Sequence, residues 1–284
     1  MEERRKIILK RRPEKIIVGG IIVLVFAVYF FELLLILPKI YGPGFSSSHK
    51  IAHVVAGTWI LFNALISMWK FIVVDPGSGS VVLPSILKEG WRFCYQCEAN
   101  YPPRSYHCFS CDQCVLVRDH HCVIGANCVG YKTRRYFLHM NIYLWIALLY
   151  ANILNMDFVF ELYHTINSQS LLTMFMPMLA WMFGIAKGET FLMAMFTSLC
   201  VVSFLYATAI LLFHMRNTLK GRTTPEVMKK LGQMYNLGIV NNLREAFGIN
   251  WPIAWISPLI PSPLPGDGIT FKEKEFVEQN EKSM

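Results

Sequence analysis

The chain has 284 residues, of which 54% are apolar and only 16% charged, with a formal net charge of +8. That balance excludes an ordinary water-soluble domain, in which about a quarter of residues are charged. The positive charge does not point to nucleic acid, because it is spread over the polar segments of a very apolar chain; anionic lipid headgroups or an anionic cosubstrate suit it better.

In chain order, a basic arm, Met1 to Lys15, carries seven Lys/Arg. The apolar run Ile16 to Leu37 follows. It is too long for a secretory signal core and has no small-residue cleavage site after it, so it reads as a signal-anchor. Further runs cover Ile51 to Val74, Tyr136 to Tyr163 (interrupted by Asp157 and Glu161) and Phe191 to Phe213. All four approach or exceed the ~20 residues that cross a bilayer. A soluble core cannot hide four such runs. A fifth stretch, Leu171 to Ala186, is shorter and broken by Pro177.

Seven Lys/Arg lie between Asp75 and Arg135 and nine after Phe213. Only Lys39 and Lys50 occupy the first connection, and Lys187 alone lies between Tyr163 and Phe191. The positive-inside rule therefore predicts that both termini and the central segment are cytosolic, with Pro38 to Lys50 and His164 to Thr190 lumenal. An even number of spans follows, which makes Leu171 to Ala186 interfacial or re-entrant. The tail from about Lys272 is polar and expected to be disordered.

Seven of the eight cysteines fall between Cys94 and Cys128. In a reducing compartment that density does not indicate disulfides. The spacings are Cys94-x2-Cys97, His107-Cys108-x2-Cys111-x2-Cys114, His120-His121-Cys122 and Cys128. Paired Cys-x2-Cys turns with interleaved histidines suit tetrahedral zinc. Two Cys3His sites need six cysteines and two histidines; the segment offers seven and three, so one of each is left over. Counting alone does not say which. Asp119-His120-His121-Cys122 places a carboxylate, imidazoles and a thiol side by side, a pattern suited to an activated nucleophile. The competing reading is that Cys122 and His120 are unused ligands or surface residues.

The run "CYQCEANYPPRSYHCFSCDQCVLVRDHHCVIGANCVG", Cys94 to Gly130, resembles the cysteine-rich domain of the DHHC protein S-acyltransferases, or palmitoyltransferases. "TTPE", Thr223 to Glu226, resembles the family's TTxE motif. "YNLGIVNNLREAFG", Tyr235 to Gly248, resembles its C-terminal element, with Asn242 at the characteristic asparagine. "SPLPGDGITF", Ser262 to Phe271, most resembles one subgroup.

The resemblance implies an all-α polytopic membrane protein with four transmembrane helices. A cytosolic two-zinc cysteine-rich domain of short β-hairpins lies between spans 2 and 3. The segments are a basic N-terminus (1–15), helices 1–2 (16–74), the zinc domain (75–135), helices 3–4 with a lumenal loop (136–215) and a cytosolic C-terminal region (216–284). It implies one structural zinc on Cys94, Cys97, His107 and Cys114, and another on Cys108, Cys111, His121 and Cys128. Cys122 is then the nucleophile, His120 its base and Asp119 the group that orients the base. Acyl-CoA is the implied cosubstrate, with Arg104, Arg118, Arg134 and Arg135 as candidate phosphate contacts. The implied partners are the bilayer and membrane-associated proteins with cytosolic cysteines, and the implied location is the Golgi or endoplasmic reticulum.

The chain departs from the family pattern where Val123-Ile124 replaces the usual Pro-Trp and Thr133 replaces an asparagine. Both changes bear on how Cys122 is seated. Glu32, Asp157 and Glu161 read as polar groups near helix ends and not as a transport path. Cys200 reads as a small packing residue, and the aromatics as membrane belts and helix contacts. The paired zinc sites lack a basic recognition-helix pattern, so no nucleic acid is expected. Two function classes remain: an active S-acyltransferase, and a catalytically weak zinc-binding membrane scaffold.

Overall fold

The computed structural model describes residues 12–42, 48–77, 83–164, 167–231 and 234–271. Most of the basic arm and the polar tail from Lys272 lie outside the described residues. Among the described residues, four helices are long and apolar enough to cross a membrane: Pro13–Tyr41, Ser48–Val73, Arg134–Leu154 and Gly188–Leu219. Val23, Leu34, Val55, Val202, Leu205 and Leu212 on these helices are exposed. In the fourth, only 11% of the apolar window is buried within the protein. That surface requires a lipid solvent; the chain is a membrane protein.

The first rod consists of α1 (Arg12–Phe31), a π-helical turn (Glu32–Ile36) and α2 (Leu37–Tyr41). Pro13 sits in the first turn, where its missing N–H costs nothing. Pro38 lies inside the rod, where its ring crowds the carbonyl four residues back. That carbonyl, of Leu34, falls within the π turn, which widens the backbone there. The second rod is α3 (Ser48–Val73).

The third apolar run is not one helix. α4 (Arg134–Leu154) stops before Asn155, and α5 (Met156–Tyr163) starts after it. Asn155 is buried, and its Nδ2 donates to Ala151 O at 2.7 Å and to Glu32 Oε1 at 2.7 Å. A side chain that bonds the preceding turn competes with the helix ladder. The stretch around Leu171 to Ala186 forms α6 (Ser168–Phe175) and α7 (Pro177–Met182), separated at Met176 before the proline. Each is too short to cross a bilayer. The fourth rod is α8 (Gly188–Leu219).

The chain divides into two compact units: Met1–Ile21, Leu65–Met140 and Leu212–Met284 in one, Ile22–Ala64 and Asn141–Leu211 in the other. The second unit has a core of Phe31, Ile36 and Met193, with Phe31 stacked on Phe196 at 4.6 Å.

The first unit holds the cysteine-rich segment as three antiparallel hairpins. They pair β1 (Arg92–Cys94) with β2 (Ala99–Tyr101), β3 (Tyr106–Cys108) with β4 (Gln113–Val115), and β5 (His120–Cys122) with β6 (Asn127–Val129). Each hairpin turns through a left-handed residue: Glu98, Asp112 and Ala126, with φ of 48°, 55° and 45°. Three residues per strand bury too little surface for a hairpin to hold alone. C-terminal to α8 come α9 (Thr224–Met228), α10 (Ile239–Phe247) and α11 (Trp251–Ala254). Asn242 ties α10 to the end of α8, donating to Leu219 O at 2.8 Å.

The third hairpin is fastened to α3. Asn127 is buried and its Nδ2 donates to Phe71 O at 2.8 Å and Val74 O at 2.9 Å. These are carbonyls at a helix C-terminus, which lack intrahelical partners. Gly125 packs so close to Phe71 that a Cβ there would lie 2.2 Å from the ring. Asn127→Leu keeps the volume but orphans both carbonyls. It should destabilise the protein by about 1–3 kcal/mol, read as a lowered unfolding midpoint in detergent.

Candidate functional site

The strand registers explain how ligands interleaved in sequence separate in space. Successive side chains on a strand point to opposite faces. In β3, His107 and Cys108 therefore point apart, and His107 pairs across the ladder with Cys114. In β5, His121 points one way, paired with Cys128, while His120 and Cys122 share the other face.

The result is two four-residue groups. The ligand atoms of Cys94, Cys97, His107 and Cys114 lie within 4.8 Å of one another, as do those of Cys108, Cys111, His121 and Cys128. In the first, His107 Nδ1 is 3.3 Å from Cys97 Sγ and 3.8 Å from Cys94 Sγ. In the second, His121 Nδ1 is 3.3 Å from Cys111 Sγ and 3.6 Å from the sulfurs of both Cys108 and Cys128. Tetrahedral zinc with its usual Zn–S and Zn–N bonds sets sulfur and nitrogen about 3.5 Å apart. The donor set fits.

The electrostatics of these groups also ask for a cation. Cys108 is held far below the ordinary thiol range by hydrogen bonds from Cys111 and Cys128. Cys128 is pushed far above it by hydrogen bonds to Cys108 and Cys111. Cys114 is pushed up by burial and by the neighbouring Cys94 and Cys97. Crowded thiols resist ionising together unless a positive charge joins them. His121 Nε2, on the far side of its ring, meets Glu14 Oε1 at 3.2 Å, a carboxylate–histidine contact that fixes the ring's orientation. No spacing in the sequence announces Glu14.

On the other face, Asp119 and Cys122 are both buried, at 4% and 8% exposure. His120 Nδ1 donates to Asp119 Oδ2 at 2.7 Å, because an ionised carboxylate only accepts. Nε2 is then the ring nitrogen available to accept a proton. Asp119 Oδ2 also accepts from Thr224 Oγ1 at 2.9 Å, and Oδ1 from Thr224 N at 2.7 Å. Burial alone would raise the Asp119 carboxyl. The hydrogen bond from His120 and the charge of Arg134 outweigh it and hold the group well below the usual carboxylate range. Burial alone would lower His120. Its hydrogen bonds with Asp119 and Cys122, and their charges, raise it to about 9. It is a stronger proton acceptor than a free imidazole.

The TTPE stretch clamps this segment twice. Thr224 holds Asp119, and Glu226 takes Arg104 in a two-point pair at 2.6 and 3.1 Å. Arg104 Nη2 also donates to Gly221 O at 2.8 Å, and its guanidinium lies over the Tyr235 ring at 4.3 Å. The other three arginines have internal partners too. Arg134 Nη2 donates to Arg222 O at 2.7 Å, and Arg135 Nη1 to Ser262 O at 2.7 Å. Arg118 faces the sulfurs of Cys128 and Cys108. Thr133, at one of the departures, is fully buried; its hydroxyl donates to Cys128 O at 2.7 Å and accepts from Gly130 N at 2.9 Å. A hydroxyl thus closes β6 onto α4. Val123 is exposed.

One residue near Asp119 had no signal in the sequence. His214, on α8, brings its Nδ1 to 3.5 Å from Asp119 Oδ2 and stacks its ring on His120 with centroids 4.9 Å apart. It stands ninety-odd residues downstream inside an apolar run, where a lone histidine draws no notice.

A family model described as "DHHC palmitoyltransferase" matches residues 87–231. A Danio rerio protein named "Probable palmitoyltransferase ZDHHC24" is 41% identical over 82% of this chain and 79% of its own length. The Rattus norvegicus and Homo sapiens proteins of the same name are each 35% identical. The former covers 87% of both chains; the latter covers 85% of this chain and 86% of its own.

Two predictions come from this geometry. The Arg104 and Glu226 side chains are 10% and 5% exposed, so removing one strands the other charge. Arg104→Met or Glu226→Gln alone should cost about 3–5 kcal/mol, and the double variant clearly less than the sum, in a double-mutant cycle of unfolding midpoints. For pH, the folded value of His120, about 9, exceeds its ordinary 6.5. Its contribution to stability is therefore complete below pH 6.5 and is lost as pH rises through 9. His120→Phe should flatten the fall in unfolding temperature across that window.

Proposed function

The chain belongs to the DHHC palmitoyltransferase family, and from that premise we propose that it moves a fatty acyl group from acyl-CoA to cysteines of membrane-associated proteins through an acyl-Cys122 intermediate. The observation that carries this reading is the remainder. Two four-residue groups take eight of the ten cysteines and histidines between Cys94 and Cys128. Cys122 and His120 are left, on one strand face, with Asp119 on the histidine.

In the proposed mechanism the Cys122 proton resides on His120 Nε2 before attack, and Asp119 holds Nδ1–H and balances the imidazolium. The Cys122 sulfur attacks the thioester carbonyl of acyl-CoA. The tetrahedral adduct collapses, and CoA leaves as a thiol with the proton from His120. A substrate cysteine then gives its proton to His120 and attacks the acyl-Cys122 carbonyl, releasing Cys122. Each half exchanges one thioester for another, so no energy input is needed, and the kinetics are ping-pong.

Cys94, Cys97, His107 and Cys114 would hold one zinc, and Cys108, Cys111, His121 and Cys128 the other. Four protein ligands fill each ion, so zinc supplies crosslinking and no open coordination site. The hairpins it joins hold Asp119, His120 and Cys122 together. The apolar helices offer the acyl chain a medium in which each buried CH2 gains about 0.8 kcal/mol. Arg104, Arg118, Arg134 and Arg135 remain candidates for the CoA phosphates only through N–H groups not already engaged, since a guanidinium has five donors. We place the termini, the zinc domain (75–135) and the C-terminal region (216–284) in the cytosol, with Golgi or endoplasmic reticulum as the housing membrane. Cation placement supports that orientation.

Purified protein incubated with palmitoyl-CoA should acquire one hydroxylamine-labile acyl group on Cys122 and contain about two zinc ions. Cys122→Ser should keep both ions and accept no acyl group. His120→Ala should also keep both, but acylate roughly 10²- to 10⁴-fold more slowly. His121→Ala and Cys97→Ala should lose zinc and misfold. An acylated Cys122→Ser protein would overturn the nucleophile, and zinc loss in His120→Ala but not His121→Ala would reverse the roles of the two histidines. A zinc-loaded parent that takes no acyl group would favour the scaffold. For topology, a glycosylation tag after Met284 should remain unmodified; its modification would put the C-terminus in the lumen.

A further inference from the structure

His120 is held by hydrogen bonds with Asp119 and Cys122, but two such bonds set an axis and leave the ring free to turn about it. The plane needs other contacts, and the structure supplies two. The His214 ring lies against the face of His120 at 4.9 Å with 29° between planes. Phe137 meets His120 edge-on at 5.2 Å and 78°, and meets His214 at 4.9 Å and 83°. Phe213 adds an edge to His214 at 5.0 Å. Phe137 is 3% exposed, and the His214 side chain 13%. The three rings form one bracket around the imidazole that faces Cys122.

We infer that His214 is a positioning residue for acyl transfer: by stacking on His120 it fixes the plane of that ring and so the direction of its Nε2. The inference rests on the acyl-transfer reading above. The stack, and not the polar contact, carries it. At 3.5 Å from Asp119 Oδ2, His214 Nδ1 is at the outer limit of a hydrogen bond. Asp119 already takes three better donors, from His120 and from the hydroxyl and backbone N–H of Thr224. The same saturation argues against a third metal site on Asp119, His120 and His214, although their ligand atoms fall within 4.8 Å. The residue reaches His120 because α8 runs on past the apolar stretch to Leu219, which brings its last turns to the hairpin.

The test compares His214→Ala, His214→Leu and His214→Phe in the purified full-length protein. Four quantities are read: zinc content, the rate of Cys122 acylation at saturating palmitoyl-CoA, the half-saturating palmitoyl-CoA concentration, and the rate of Cys122 alkylation by iodoacetamide at one pH, mapped by mass spectrometry. The Ala and Leu variants should slow acylation and alkylation together by about tenfold or more, as a misdirected base does. Zinc content and half-saturation should stay at parental values. His214→Phe, which keeps a ring face and loses both nitrogens, should recover most of the rate. Parental rates in His214→Ala would overturn the inference, and so would a Phe variant no faster than Leu. If His214→Ala sheds zinc, the Leu–Phe comparison decides alone. If the parent takes no acyl group, the acyl-transfer reading fails, while alkylation still reports whether His214 directs the base.

Discussion

The arrangement depends on the pleat of one three-residue strand. In β5 the side chains of His120, His121 and Cys122 must alternate. Pairing His121 with Cys128 across the ladder commits that face to the second Cys/His group. His120 and Cys122 are thereby turned together toward Asp119 and α8. Adjacent histidines in sequence thus acquire different surroundings without any difference in residue type. A one-residue slip in register would exchange the faces. Asn127, bonded to the end of α3, opposes that slip by fixing the partner strand.

Asp119 is the next node. It receives His120 from the start of β5, Thr224 from the start of α9, and the edge of His214 from α8. The TTPE stretch supplies Thr224 to this carboxylate and Glu226 to Arg104, so two turns of the cysteine-rich segment are pinned to one short helix. The capping box of that helix, with Thr223 N donating to Glu226 Oε2 at 2.8 Å, sets the carboxylate before it meets the guanidinium. A motif far from the cysteines in sequence therefore governs the geometry around them.

Much of this was legible beforehand for a local reason. Apolar runs and ligand spacings are written within short windows, and they announced four long helices and a pair of Cys/His sites; which histidine and which cysteine stay out of those sites came from the family resemblance, not from the spacing. The interruption at Asn155 was less visible, because nothing near it in sequence reports that its buried amide meets Glu32, 123 residues away. The partners of Asp119, Arg104 and His121 lie between 105 and 122 residues away, where no periodicity reports them. Without the family resemblance, strand alternation in β5 was the signal that would have separated His120 from His121. Reading it required knowing that the hairpin is a strand pair, which three residues cannot announce. The arginines' internal partners were equally unannounced: Arg104 meets Glu226, Arg134 the carbonyl of Arg222 and Arg135 that of Ser262, each at least 88 residues away.

Most apolar side chains buried among the hairpins are small: Val115, Leu116, Val117 and Val129, with Tyr101 the largest. One buried cluster among them is Cys108, Cys111, Val115 and Cys128, three sulfurs and one valine. Dispersion among four such small side chains is slight beside the cost of ordering the loops around them. Polar ties therefore carry much of the segment, from Asn127 to α3, Thr133 to α4, Asp119 to Thr224 and Arg104 to Glu226, and zinc bound by the two Cys/His groups would crosslink it further. Such a structure is rigid where it is tied and has little reserve elsewhere. Losing one tie strands a buried polar group and does more than leave a gap. Rigidity of that kind would suit the proposed acyl transfer, in which thiol, base and carboxylate must stay aligned while a nucleotide thioester and then a protein chain arrive in turn.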